Sequence, residues 1–294
     1  MPSLSQIDGA NHGPGRVERF WSLVIAACLG LVFVIVLNLA GPWQVKSTTP
    51  TGKEVVDIDF SRILVNWSYY QDDEGRLVDE RNWVSVQAFM WVAFFVGLGE
   101  LWIRWRAMLA DQLLLKTRLL PEDERSLLTA EDLRAIYVRA RSMSQSAVLP
   151  VLVKRLAMEF RKSKSIDRSN ALLDSSLELF MHRLDLRYTL MRYLVWVIPT
   201  LGFIGTVIGI ADAMSFAGSG AVGVDHLLGP TTQRLAVAFY TTLVALIQSG
   251  VLVYGMNVLQ AGEEKVLNDA GQYCLENLVM RLMEPGHLEE AYKR

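Results

Sequence analysis

One apolar run holds a proline, three glycines and a threonine at spacings that suit a helix in lipid: Pro199-Thr200-Leu201-Gly202-Phe203-Ile204-Gly205-Thr206-Val207-Ile208-Gly209. Gly202, Gly205 and Gly209 recur at intervals of three and four. On a helix they share one face and let a second backbone come close. Thr206 lies beside that face, with its hydroxyl among apolar neighbours. Pro199 lacks an amide hydrogen and frees a carbonyl one turn earlier, which in a membrane must find another helix, water or an ion. A second run, Ala236-Val237-Ala238-Phe239-Tyr240-Thr241-Thr242-Leu243, adds Thr241 and Thr242, and Gln248 and Ser249 extend its polar character. Threonine hydroxyls can coordinate sodium or organise waters that carry protons. Thr206 and Thr242 are therefore the first candidates for an ion path, with Thr241 next to them and Pro199 shaping the backbone. Asp212 stands roughly one and a half turns beyond Thr206. It reads either as an ion-entry group or partner contact, or as a headgroup-level acid that caps its helix.

These residues need membrane helices to hold them. About half of the 294 residues are apolar (51%), concentrated in four runs. The expected fold class is all-α, an integral membrane protein with four transmembrane helices and a cytoplasmic helical bundle. The spans are placed at 20–40, 83–103, 193–216 and 235–259, each long enough to cross the hydrocarbon core. The first follows Arg16 and Arg19, but its apolar stretch is too long for a secretory signal and Gly41-Pro42-Trp43-Gln44 is a poor cleavage site. Between spans two and three, residues 104–192 are rich in Lys and Arg, whereas 41–82 carry Asp72, Asp73, Glu74, Asp79 and Glu80. The positive-inside rule then puts 1–19, 104–192 and 260–294 in the cytoplasm and 41–82 and 217–234 outside. Arg234 at the outer end of span four runs against the rule and is expected to snorkel. Glu100 is expected at the inner interface.

The cytoplasmic region reads as amphipathic helices. Thr129 and Asp132 mark a helix start before Leu133, Ile136, Tyr137 and Ala140. Pro150 breaks or opens a second helix bearing Val151, Leu152, Leu156, Met158 and Phe160. A third begins near Asp167, carries Leu172, Leu173, Leu177, Leu179 and Phe180, and runs on into span three. Leu267, Cys274, Leu278 and Leu282 continue span four as an amphipathic helix ending near Pro285-Gly286, suited to self-association or to packing on the bundle. Glu54 to Phe60 alternates like a strand within the outer segment. Cys28 and Cys274 are too far apart for a disulfide or a shared metal and are expected to be small buried hydrophobes. The net charge of -2 gives no electrostatic case for nucleic acid. No nucleophile constellation, metal pair or phosphate loop is found, so an enzyme is not expected.

The two runs resemble the MotA/TolQ/ExbB family. Pro199, Gly202, Gly205, Thr206, Val207 and Gly209 fall in register with its Ala-Pro-Leu-Leu-Gly-Leu-Leu-Gly-Thr-Val-x-Gly pattern, and Ala238, Phe239 and Thr242 fit Ala-Leu-x-x-Thr, with Phe for Leu. The likeness is specific over 193–258 and one of arrangement only over 105–192. It implies a homo-pentamer around a dimer of a one-span MotB/TolR/ExbD-like partner, whose membrane-embedded Asp takes up and releases the ion. It also implies that Thr206 and Thr242 line the route, and that ion flow drives rotation or force in a bacterial inner membrane. The transported species is a proton or sodium, with no other cofactor. The alternative is a non-conducting membrane scaffold or receptor, for which a glycine face serves packing alone. Four spans match the flagellar stator arrangement, whereas the span-three motif is closer to TolQ and ExbB.

Overall fold

The computed structural model describes residues 16–39, 44–48, 54–59, 63–64, 67–71, 77–81, 85–117, 119–121, 128–129, 132–143, 147–218 and 224–283. The helices among these residues include α1 (Arg16–Leu39), α2 (Val86–Leu115), α3 (Asp132–Ser142), α4 (Val148–Ser163), α5 (Ile166–Arg187), α6 (Thr189–Gly218) and α7 (Val224–Asn277), with a 3-10 turn at Val279–Arg281. Four helical stretches are long and apolar enough to cross a membrane, and the chain is a multi-pass membrane protein of helical class. Contacts divide it into two compact units, one of residues 20–100 and 190–256, the other of 1–19, 101–189 and 257–294.

In the first unit, small residues set the helix spacing. A methyl added at Gly99 would lie 2.5 Å from Ala26 Cβ, one at Gly97 would lie 2.9 Å from the Leu252 side chain, and Gly30 sits against Phe95 and Val92. Lipid offers no hydrophobic drive to pair helices, so backbone proximity and dispersion contacts must supply the attraction. The segment between α1 and α2 adds two antiparallel hairpins. β1 (Gln44–Thr48) pairs with β2 (Glu54–Asp59), and β3 (Trp67–Gln71) pairs with β4 (Leu77–Arg81). β2 coincides with the alternation read at Glu54 to Asp59. Trp91 Nε1 donates to the Leu64 carbonyl at 2.9 Å, fastening this segment to α2.

The second unit is a bundle with one apolar core. Leu133, Ile136 and Ala140 of α3, Leu149, Val151, Leu152, Leu156 and Phe160 of α4, Leu173 and Phe180 of α5, Leu267 and Cys274 of α7, and Leu278 just after it all join it. Pro150 sits in the first turn of α4, where its missing N–H costs nothing, and so opens the helix. Asp132 Oδ2 accepts from the Thr129 hydroxyl at 2.7 Å and from its N–H at 3.0 Å, fixing the start of α3. The C-terminal end of α7 packs into this core, followed by a bridge of Leu128 to the 281–283 segment.

Several expectations change. Met158 and Leu179 are exposed because they fall outside the buried arc of their helices, and Cys28 is exposed on α1. Glu100 is buried rather than interfacial, at 1% exposure. α5 does not run straight into span three: Tyr188 interrupts the helix, and its N–H turns back to Asp185 and Leu186. The segment 217–234, read as a loop, is helical from Val224 onward, with Pro230 inside the helix. α7 ends at Asn277, before Pro285-Gly286, which lies outside the described residues.

Candidate functional site

The α6–α7 pair carries the candidate site. A methyl at Gly202 would stand 2.4 Å from Ala245 Cβ, at Gly205 2.8 Å from the Thr241 side chain, and at Gly209 2.8 Å from Ala238 Cβ. Three glycines on α6 therefore meet Ala238, Thr241 and Ala245 on α7, a set that itself recurs at intervals of three and four. The backbones are close enough for hydroxyls of one helix to reach carbonyls of the other.

They do so twice. Thr206 Oγ1 donates to Gly202 O at 3.1 Å in its own helix and to Ala238 O at 3.2 Å across the seam. Thr241 Oγ1 donates to Ala238 O at 2.7 Å in its own helix and to Gly202 O at 3.3 Å across the seam. The two hydroxyls thus share the same two carbonyls and form one compact polar cluster inside an apolar helix pair. Thr241 is buried and Thr206 partly buried. Thr242 does not join the cluster: it bonds Phe239 O of its own helix at 2.8 Å. The sequence named all three threonines, but their places around the α7 axis separate them. One residue along a helix is a turn of about 100°, so only one member of the Thr241-Thr242 pair can face α6.

Pro199 lies inside α6 and removes the N–H that would bond the carbonyl of Val195. That carbonyl is not left open, because Ser249 Oγ of α7 donates to it at 3.1 Å. Sequence reasoning foresaw the freed carbonyl and noted Ser249, yet did not join them. The link needs the relative register of two helices more than fifty residues apart in the chain. Gln248, the neighbour of Ser249, is buried at 2% exposure, with neither end of its amide hydrogen-bonded. It lies seven residues after Thr241, hence on the same helix face.

Asp212 and Arg234 form an ion pair between α6 and α7. Arg234 Nη1 lies 3.0 and 2.9 Å from the two Asp212 oxygens, and the guanidinium sits 4.3 Å over the Phe216 ring. Arg234, expected to snorkel to headgroups, instead has a carboxylate and an aromatic face within reach. Asp212 is engaged by this pair, with 55% of its side chain still open.

Among the described residues no group of three or more His, Cys, Asp or Glu side chains forms a metal site. The outer surfaces of the two helices are strongly apolar: Phe203, Val207 and Met214 on α6, and Phe239, Leu243, Ile247 and Tyr254 on α7, are all exposed. The helix pair therefore combines an inward polar seam with an apolar exterior.

Residues 143–270, which contain α4, α5, α6 and most of α7, match the family model described as MotA/TolQ/ExbB proton channel family. No curated protein and no solved structure matches the chain.

Proposed function

We propose that this chain, which belongs to the MotA/TolQ/ExbB proton channel family through residues 143–270, is the ring-forming subunit of an ion-driven membrane motor. The family is one of stator-type channels, and the reading places five copies around a dimer of a one-span partner bearing a membrane-embedded Asp. Proton or sodium flow past that Asp is turned into rotation or force. The membrane is a bacterial inner membrane with both termini of the chain cytoplasmic, as the Lys and Arg distribution favours.

The observation that carries the reading is that the matched segment includes the α6–α7 seam, where Thr206 and Thr241 gather two hydroxyls and two carbonyls in an apolar pair. A carboxylate in such surroundings pays heavily to ionise, so its charge state becomes coupled to which side of the membrane it can reach. Hydroxyl oxygens lower that cost by accepting from water or by contacting a cation. Thr206 keeps its lone pairs free while its proton is shared between two carbonyls. Thr242 has only one intrahelical bond to give up, so its hydroxyl is the one able to turn to a partner. Thr241 is too buried to do so and is assigned the task of holding the seam. Pro199 and Ser249 set the backbone path beneath it. Asp212 serves at the end of the pair as a partner contact or entry group when its bond to Arg234 opens.

The test is assembly followed by flux. The chain is purified with its candidate one-span partner, subunits are counted by native mass spectrometry, and proton and sodium uptake is measured in vesicles. Five copies with two partners, and uptake lost in Thr206→Val and Thr242→Val while the ring persists, is the expected result. Assembly without a partner, or uptake unchanged in both variants, would leave the non-conducting scaffold as the better account.

A further inference from the structure

The helical bundle holds a cavity of about 60 Å³ between α2, α5 and α7, lined by Asp111, Phe180, Arg183, Arg187 and Glu263 among others. A single water needs roughly 10–15 Å³ on this measure, so the space suits a few waters or one tetrahedral oxyanion. Its charged walls are unevenly satisfied. Glu263 faces Arg104, with Arg104 Nη1 at 3.4 Å from its carboxylate, and the same guanidinium donates to the Arg187 carbonyl and stacks 4.2 Å over Tyr188. Asp111 accepts from the backbone N–H of Val148, at the start of α4.

The guanidiniums of Arg183 and Arg187 are different. They stand one turn apart near the end of α5, and among the described residues neither makes a hydrogen bond or a contact ion pair. Arg187 feels Glu263 and Asp111 in attraction, but also Arg104 and Arg19 in repulsion. Arg183 in turn repels Arg155 of α4, whose pKa is lowered first by burial and then by that neighbour. Arg183 and Arg187 thus share one opening with the carboxylates of Asp111 and Glu263, and Glu263 is also drawn to Arg104. Guanidinium forks fit phosphate oxygens geometrically, with two parallel N–H donors each.

We propose that this cavity binds a phosphate-bearing anion, clasped by Arg183 and Arg187. The chemistry is shared by the headgroup of an acidic phospholipid and by free phosphate. The lining residues favour the lipid, since in sequence they follow spans two and four and precede span three by no more than about three helical turns. Basic pockets between helices at the ends of membrane spans are where acidic headgroups are held. Arg104 Nη1 lies 3.4 Å from the Glu263 carboxylate and the Val148 N–H donates to Asp111, so each carboxylate has a donor of its own. The site does not depend on ion flow and stands whether or not the chain conducts.

The experiment uses the full chain in mild detergent micelles doped with phosphatidylglycerol or phosphatidylcholine, and native mass spectrometry counts retained lipids. Selective retention of phosphatidylglycerol, weakened roughly tenfold or more in R183Q/R187Q, is expected, since charge-assisted hydrogen bonds are lost. In lipid-free micelles a parallel arm measures the thermal shift given by inorganic phosphate. A phosphate-induced shift that disappears in the variant, without phosphatidylglycerol selectivity, supports the same site with a soluble ligand. Ala107→Trp fills the cavity while leaving both arginines in place, and is expected to abolish binding as well. R183K/R187K, which retains charge but loses the fork, guards against misfolding of the glutamine variant and should bind with intermediate strength. Equal retention of both lipids by the parent chain, together with no phosphate shift, would overturn the proposal.

Discussion

Substituting Gly202 by Ala tests the seam most directly. The added methyl would lie 2.4 Å from Ala245 Cβ, against an ordinary carbon–carbon separation of roughly 3.5–4.0 Å. The Gly202 Cβ position also lies 3.3 Å from the Thr241 carbonyl and 3.4 Å from Thr242 Cα, so the displacement cannot be absorbed by a rotamer change. The helices must part by roughly 1 Å, and overpacking of this kind costs about 1–3 kcal/mol. The bonds from Thr206 to Ala238 O (3.2 Å) and from Thr241 to Gly202 O (3.3 Å) would stretch beyond bonding distance. Interhelical hydrogen bonds in membranes average about 0.6 kcal/mol each. The total expected loss is therefore about 2–4 kcal/mol. It is read as a shift in the unfolding midpoint in mixed detergent micelles, followed by helicity and by tryptophan fluorescence. Ala245→Gly removes the clashing methyl, so Gly202→Ala/Ala245→Gly should recover most of the loss. A Gly202→Ala protein as stable as its parent, or a double variant no better than the single one, would refute the close approach on which the seam rests.

Three further outcomes follow from the same contacts. Ser249→Ala orphans the Val195 carbonyl freed by Pro199 and should cost about 1 kcal/mol in micelle unfolding, whereas in a Pro199→Ala background, where the carbonyl regains an intrahelical donor, the same change should cost less. Arg104→Gln removes the guanidinium that binds Glu263 and the Arg187 carbonyl at 5% exposure, and thermal unfolding should report a loss on the order of 3 kcal/mol, as for other broken buried pairs. The Thr129 hydroxyl and then its N–H hold the Asp132 pKa below its usual value, so their stabilisation is complete above the unfolded carboxylate range and is lost as pH falls through the folded pKa; Thr129→Val should therefore lower the thermal midpoint at pH 7, and the gap from the parent should narrow below about pH 4.

Much of this protein is written locally. The four apolar runs, the glycine spacing, the threonines, the strand-like alternation before Asp59 and the apolar stripe from Leu267 to Leu278 all follow from residue type and period. Lipid and core sort side chains by polarity wherever they lie in the chain. Those features are enough to suggest the family. The sequence alone did not pair the elements. That Thr241 rather than Thr242 faces Thr206, that Ser249 answers the carbonyl freed by Pro199, and that Asp212 and Arg234 bind each other all depend on the axial rotation and register of α6 against α7. Glu100 looked interfacial from its place near the end of an apolar run, and only packing around α2 buried it. The charged lining of the bundle cavity, Asp111, Arg183, Arg187 and Glu263, comes from three helices separated by scores of positions, and in the sequence its arginines read as a solvated face. A residue's polarity is its own property, whereas its partner is a property of the distance between two helices, and here that distance is set by which small residues meet.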